Sequence, residues 1–168
     1  YVPPKKKNPP LPPPVAPPAA PKDIPTVEEL YLAGLRLEQF YNPAFEPYPY
    51  YEEALRRDPG DYRVNTALGI LYLKRAMYEK AADHLGRAVD RATKNYTRPK
   101  DGEALYYLGV ANRALGRTAD AEDAFFRAAW GQAWQAASFF QLAEMASVRG
   151  DYSRALELAD RGTLFLDE

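Results

Sequence analysis

Adjacent carboxylates are the residues here that could most readily do chemistry. They occur as Glu52/Glu53 and Glu122/Asp123. A glycosidase pair must face itself across a cleft. Neighbours on a helix point in different directions instead, so neither pair is expected to act. The one histidine, His84, reads as a solvated surface residue, and one His does not build a His-based metal centre or a catalytic triad. With no Cys, a disulfide framework and a thiolate metal site are both excluded. No catalytic, cofactor-binding or metal-ligating residue is therefore assigned, and the chain reads as a non-enzyme.

Three weaker motifs remain. Trp130 and Trp134 would lie one turn apart if a helix continued past Gly131. They could stack on a sugar or on prolines, but the plainer reading is packing between helices. Asn95-Tyr96-Thr97 is a glycosylation acceptor triplet, which makes Asn95 a candidate for a glycan. Lys6, Pro9 and Pro12 match a loose SH3 ligand, and Pro9-Pro10-Leu11-Pro12 a WW ligand. Any long proline run generates such matches.

The elements that would position these residues fall into two regions. Residues 1–25 hold 11 of the 16 prolines, with four Lys and one Asp. Such a stretch favours extended polyproline II and would reach on the order of 75 Å. Residues 26–168 carry 18 basic and 22 acidic groups, so a +3 arm precedes a −4 body. Overall charge is −1, which gives no reason to expect nucleic acid. No 18-residue apolar run exists, so no membrane span is expected. The chain begins at Tyr1 rather than Met, which reads as a processed protein or a fragment.

The body predicts helices throughout. Apolar residues recur at helical spacing over 62–74, 78–92, 103–115, 119–130, 136–148 and 152–166. Asp61 and Asp101 mark helix starts, and Gly116 and Gly150 mark helix ends. The pattern also repeats. Leu108-Gly109 and Leu142-Ala143 are 34 residues apart, as are Gly116 and Gly150, and Ala121 and Ala155. Leu68-Gly69 precedes Leu108-Gly109 by 40, the excess fitting the loop at 93–101. A fixed period of this length means stacked helical hairpins. Units of roughly 26–60, 61–100, 101–135 and 136–168 follow.

These positions resemble the tetratricopeptide repeat. Its Leu-Gly, Tyr, Ala, aromatic and Ala positions are matched by Leu68, Gly69, Tyr72, Ala81, Leu85 and Ala88. The next unit has Leu108, Gly109, Asn112, Ala121, Phe125 and Ala128. The fourth has Leu142, Ala143 and Ala155, with Gly162 departing from the pattern. The first is degenerate: Asn42-Pro43, Pro47 and Pro49 should break or bend its second helix. A narrower resemblance is to the repeat segment of large bacterial proteins in which a β-sandwich domain, associated with carbohydrate, precedes a Pro-rich linker.

The resemblance implies an all-α solenoid with a concave face lined by the first helix of each unit, where an extended peptide or a helix usually lies. Mapped by repeat position, that face would expose Arg63, Thr66, Ile70, Leu73 and Lys74, then Glu103, Tyr106, Val110 and Arg113, then Ala137, Phe140 and Glu144. The family's two-carboxylate clamp is not expected, because Ala67 and Ile70 occupy two of its positions. The sequence stops at Glu168 without a polar capping helix. An uncapped end facing an uncapped start predicts head-to-tail self-assembly into a filament, with the arm on neighbouring subunits. The alternative is a scaffold segment that holds a heterologous peptide, a Pro-rich one included, or a helix in the groove. A filament subunit would favour a cell-surface or extracellular setting; otherwise a periplasmic or cytoplasmic one would fit.

Overall fold

The computed structural model describes residues 16–40, 44–96 and 98–163. Eight α-helices follow one another: α1 (Val27–Gln39), α2 (Tyr48–Arg57), α3 (Tyr62–Lys74), α4 (Tyr78–Thr93), α5 (Glu103–Ala114), α6 (Thr118–Ala128), α7 (Gln132–Val148) and α8 (Tyr152–Thr163). A short 3₁₀ turn, Pro21–Asp23, precedes them, and the described residues contain no strand. Helices pack most closely as hairpins α3–α4, α5–α6 and α7–α8, with α1–α2 the first, and each hairpin stacks on the one before. This is a run of four stacked units with hydrophobic clusters within and between them.

Local chemistry sets the boundaries. Thr26 and Glu29 form a capping box at the start of α1. The Asp61 carboxylate accepts from the Arg63 and Val64 amides at 3.0 and 3.1 Å and starts α3. At α5 the helix begins one residue later than expected, with Gly102 at the cap and Asp101 still accepting from the Glu103 amide at 3.0 Å. A Cβ on Gly102 would stand 2.9 Å from the Ala128 carbonyl oxygen, so glycine is required by the close approach of α6. Pro47 and Pro49 do not break α2. They occupy its cap and first turn, where no amide is needed. Asn42-Pro43 lies outside the described residues. The condition that would have put Trp130 and Trp134 one turn apart, a helix continuing past Gly131, is not met. α6 ends at Ala128 and α7 starts at Gln132, so Trp130 lies in the turn between them and Trp134 in α7.

One contact recurs inside the hairpins. A large side chain of the second helix lies on a glycine of the first: Tyr51 on Gly34, Leu85 on Gly69 and Phe125 on Gly109. A Cβ at those glycines would meet them at 2.4, 2.5 and 2.7 Å. All three large side chains are fully buried. Burying a side chain of this size stabilises by about 1.5–3 kcal/mol.

The first hairpin differs on its outer side. Positions held by Val64 and Leu71, Ala104 and Ala111, and Ser138 and Met145 in the later units are all buried against the preceding unit. In α1 they are Glu29 and Arg36, both exposed. The end of the Pro-rich run also closes this hairpin. Ile24 is buried in its core with Leu30, Leu37, Tyr50 and Tyr51. Arg57 donates to the carbonyls of Ile24 and Pro25 at 2.7 and 3.0 Å, and the Tyr50 hydroxyl donates to that of Ala19 at 3.1 Å. The start of the solenoid is therefore strapped, with Glu29 and Arg36 exposed alongside Leu32 and Phe40, and not the bare face the sequence suggested. The rest of the arm, residues 1–15, lies outside the described residues.

Candidate interaction surfaces

The first helices of the hairpins, α1, α3, α5 and α7, run side by side and carry the expected groove residues. Much of the groove's charge is consumed within it. Arg63 donates to Glu28 at 2.5 Å and to Asp61 at 3.2 Å, and its guanidinium lies 5.0 Å from the Tyr31 ring centre. Lys74 reaches Glu38 at 2.6 Å. Arg113 donates to Gln141 at 2.7 Å and to Glu144 at 2.8 Å. Exposed pairs like these contribute little stability, but they leave few free charges for a ligand. Glu103 is half-buried, and burial, with Asp101 and Glu38 nearby, raises its carboxyl above the usual range.

Several expected groove residues serve packing instead. Thr66 is 5% exposed and donates to its own helix at the Tyr62 carbonyl, so it is not presented to the groove. Tyr106 sits between Phe125 and Trp134, at 5.7 and 5.0 Å between ring centres. Leu73 packs on the α4–α5 core and Val110 on the α7 core. Ile70 and Ala137 are half-buried. Phe140 alone of the apolar set is prominent, at 60% exposed.

Sequence reasoning missed the α1 partners Glu28, Tyr31 and Glu38, because the first unit looked degenerate. The spacing of Gly34 to Gly69 was the available signal. His84 was misplaced as well. It is half-buried, its Nδ1 lies 2.9 Å from the Asn65 Oδ1, and its ring stacks on Tyr72. It is a packed residue between α3 and α4, not a solvated one. Trp134 donates to Asp101 at 2.9 Å and packs on Tyr106 and Tyr107, while Trp130 is half exposed. Asn95 is exposed, and Thr97 of its triplet lies outside the described residues. Among the described residues no three His, Cys, Asp or Glu side chains gather as a metal site would need. No described helix is long and apolar enough to cross a membrane.

The other distinctive surface is the outer face of α7–α8. Val148, Tyr152 and Leu156 are 83%, 72% and 66% exposed there. They rim a cleft of about 520 Å³ floored by Ala143, Ala155 and Ala159.

A family model described as tetratricopeptide repeat matches residues 66–137. Among solved structures, a crystal structure of MamA is similar over 87% of this chain and 81% of its own, at 16% identity and a TM-score of 0.74. A second MamA crystal structure is 20% identical, over 84% of this chain and 73% of its own, with a TM-score of 0.71. MamA from residue 41 to its end, from Desulfovibrio magneticus RS-1, is 19% identical over 84% of this chain and 76% of its own, with a TM-score of 0.69. At these identities the likeness is one of fold. Residues 66–137 thus match the tetratricopeptide-repeat model, and the described residues share the stacked-hairpin fold of these structures, with a large side chain lying on a glycine in each of the first three hairpins.

Proposed function

We propose that this chain is a non-catalytic protein-interaction scaffold that associates with copies of itself, head to tail, through its N-terminal arm. The observation that supports it is the asymmetry of the two ends. The first hairpin is strapped by the end of the Pro-rich run, with Leu32 and Phe40 exposed beside Glu29 and Arg36, whereas the last presents Val148, Tyr152 and Leu156 around a cleft floored by alanines. Soluble proteins rarely leave contiguous apolar surface uncovered unless something binds there. Because the ends differ, such contacts are heterologous and propagate into a filament unless the rotation closes a ring. Light scattering on the full chain across a concentration series, with negative-stain microscopy of the largest species, tests this reading. Concentration-dependent growth is expected. A monomer at every concentration would sink it.

A second reading places a heterologous extended peptide across the groove, and exposed Phe140 favours it. Such a ligand would bind by backbone and apolar contacts, since the neighbouring charges are already paired.

A further inference from the structure

In the first three hairpins a large side chain fills the space above a glycine: Tyr51 on Gly34, Leu85 on Gly69, Phe125 on Gly109. The fourth hairpin has Ala143 and Ala159 at those two positions. Two small residues stand where a small and a large one belong, and both line the open cleft of about 520 Å³. The rim changes too. Glu122 of the third hairpin holds Arg149 across the junction, but the matching residue of the fourth is Leu156, 66% exposed. The position that is ionic in the third hairpin is apolar in the fourth.

We propose that this cleft receives residues 9–15 of the arm of a second copy, with Leu11 in the hole between Ala143 and Ala159. The proposal rests on the self-association reading above and names its contact. Four observations carry it.

The segment Pro9-Pro10-Leu11-Pro12-Pro13-Pro14-Val15 is apolar and poor in amide donors. It can lie on a surface lined by alanines, Val148 and Tyr152, beside the paired Arg113 and Glu144, with few buried donors left unpaired. A pre-extended proline run also loses little entropy on binding an aromatic-lined groove.

The same Pro-rich run already behaves this way nearer the body. Ile24, next to Pro25, is 8% exposed in the core of the first hairpin. Upstream of it, Val15 follows Pro14, and Leu11, the larger of the two, lies between Pro10 and Pro12.

Charge does not oppose the contact. Residues 1–15 carry Lys5, Lys6 and Lys7 and no acid. In the cleft lining Arg113 and Glu144 pair at 2.8 Å, and on α8 Asp160 is followed by Arg161, so no excess of positive charge faces the lysines.

Length and the other end select a second copy. Leu11 lies five residues before Ala16, a reach of about 16 Å when extended, and the arm joins the body at the first hairpin, three units from the cleft. That reach falls short of spanning three stacked hairpins of the same molecule. Direct stacking of another copy's first hairpin is disfavoured, because Glu29 and Arg36 would enter the junction where Ser138 and Met145 are buried in the fourth unit.

The test uses the full chain and two single variants, Leu156→Glu in the cleft and Leu11→Glu in the arm. Leu156 is exposed and Leu11 precedes the folded body, so circular dichroism should show unchanged helix. Light scattering is expected to show the association constant falling at least about thirtyfold in each, the loss typical of a truncated anchor. Mixing the two variants should give one-to-one dimers and nothing larger, since each retains one intact half. Undiminished association of both variants would overturn the arm-to-cleft contact and leave self-association standing. So would loss in Leu156→Glu alone, because the cleft would then hold a different part of the copy. A chain that is monomeric throughout, with residues 11 and 156 cross-linking inside one molecule, would overturn both readings.

Discussion

Nδ1 of His84 lies 2.9 Å from Oδ1 of Asn65, and this bond completes a buried polar knot between α3 and α4. Asn65 is fully buried, and its Nδ2 donates to the Pro59 and Asp61 carbonyls at 3.0 and 2.9 Å. Its oxygen must therefore accept, so His84 carries a proton on Nδ1. Burial holds the imidazole below its ordinary value; Arg87 and Lys80 push the same way, and Asp83 opposes them. A depressed folded value means stability that is complete above pH 6.5 and is lost as pH falls through the lower folded value. Urea midpoints should drop between pH 7.5 and 5. The drop should be smaller in His84→Phe, and an equal drop in the variant would show that another group is responsible.

Ala76 has φ of 56°, in the turn between α3 and α4. The matching residues of the next two hairpins are Gly116 and Gly150, with φ of 73° and 81°. A side chain in that conformation costs about 1–2 kcal/mol. Ala76 is exposed, so Ala76→Gly removes strain and no packing. The variant should be more stable by about 1 kcal/mol, read as a rise in thermal midpoint. An unchanged or lower midpoint would contradict the strain.

Gly109 touches the Phe125 ring so closely that a Cβ would stand 2.7 Å from two ring carbons. Phe125 is fully buried and cannot step aside. Gly109→Ala should therefore destabilise by about 1–3 kcal/mol, although alanine is the better helix former by about 1 kcal/mol. Denaturant titration reads the sign directly. A stabilised variant would show that α5 and α6 have room to separate.

The strap at the first hairpin depends on Ile24 and Arg57. Ile24→Ala should cost about 2 kcal/mol or more and free residues 19–25, seen as faster exchange of the Asp23 and Ile24 amides. Arg57→Met should speed that exchange too, because the Ile24 and Pro25 carbonyls lose their donor. Acid should do the same in the native chain. Arg56 first, then Arg57, holds Glu53 down to about 2, so this anchoring is intact above pH 4.5 and fails as pH falls through about 2.

The repeat was legible because hairpin packing leaves a chemical trace. Gly69 and Gly109 need to be small, Leu85 and Phe125 need to be large, and Gly116 and Gly150 need positive φ. Those demands are local, so they fix residue types at a constant period. The start of α3 at Asp61 was readable for the same reason. Pro47 and Pro49 misled, because a proline that breaks a helix interior is harmless in a first turn, and only the observed boundary tells the two apart.

The interaction surfaces were less legible. Thr66, Tyr106 and His84 occupy positions that look exposed on a single helix, yet neighbouring helices cover them to different extents. The groove charges could be listed from the sequence, but their pairing across α1, α3, α5 and α7 could not. The sequence by itself determined the helices, their period and the hairpin contacts, because these depend on residues close along the chain. Only the tertiary structure decided which faces remain open. Exposure at Leu156, or burial at Ile24, depends on what distant parts of the chain cover, and that sum is settled when all the hairpins have stacked.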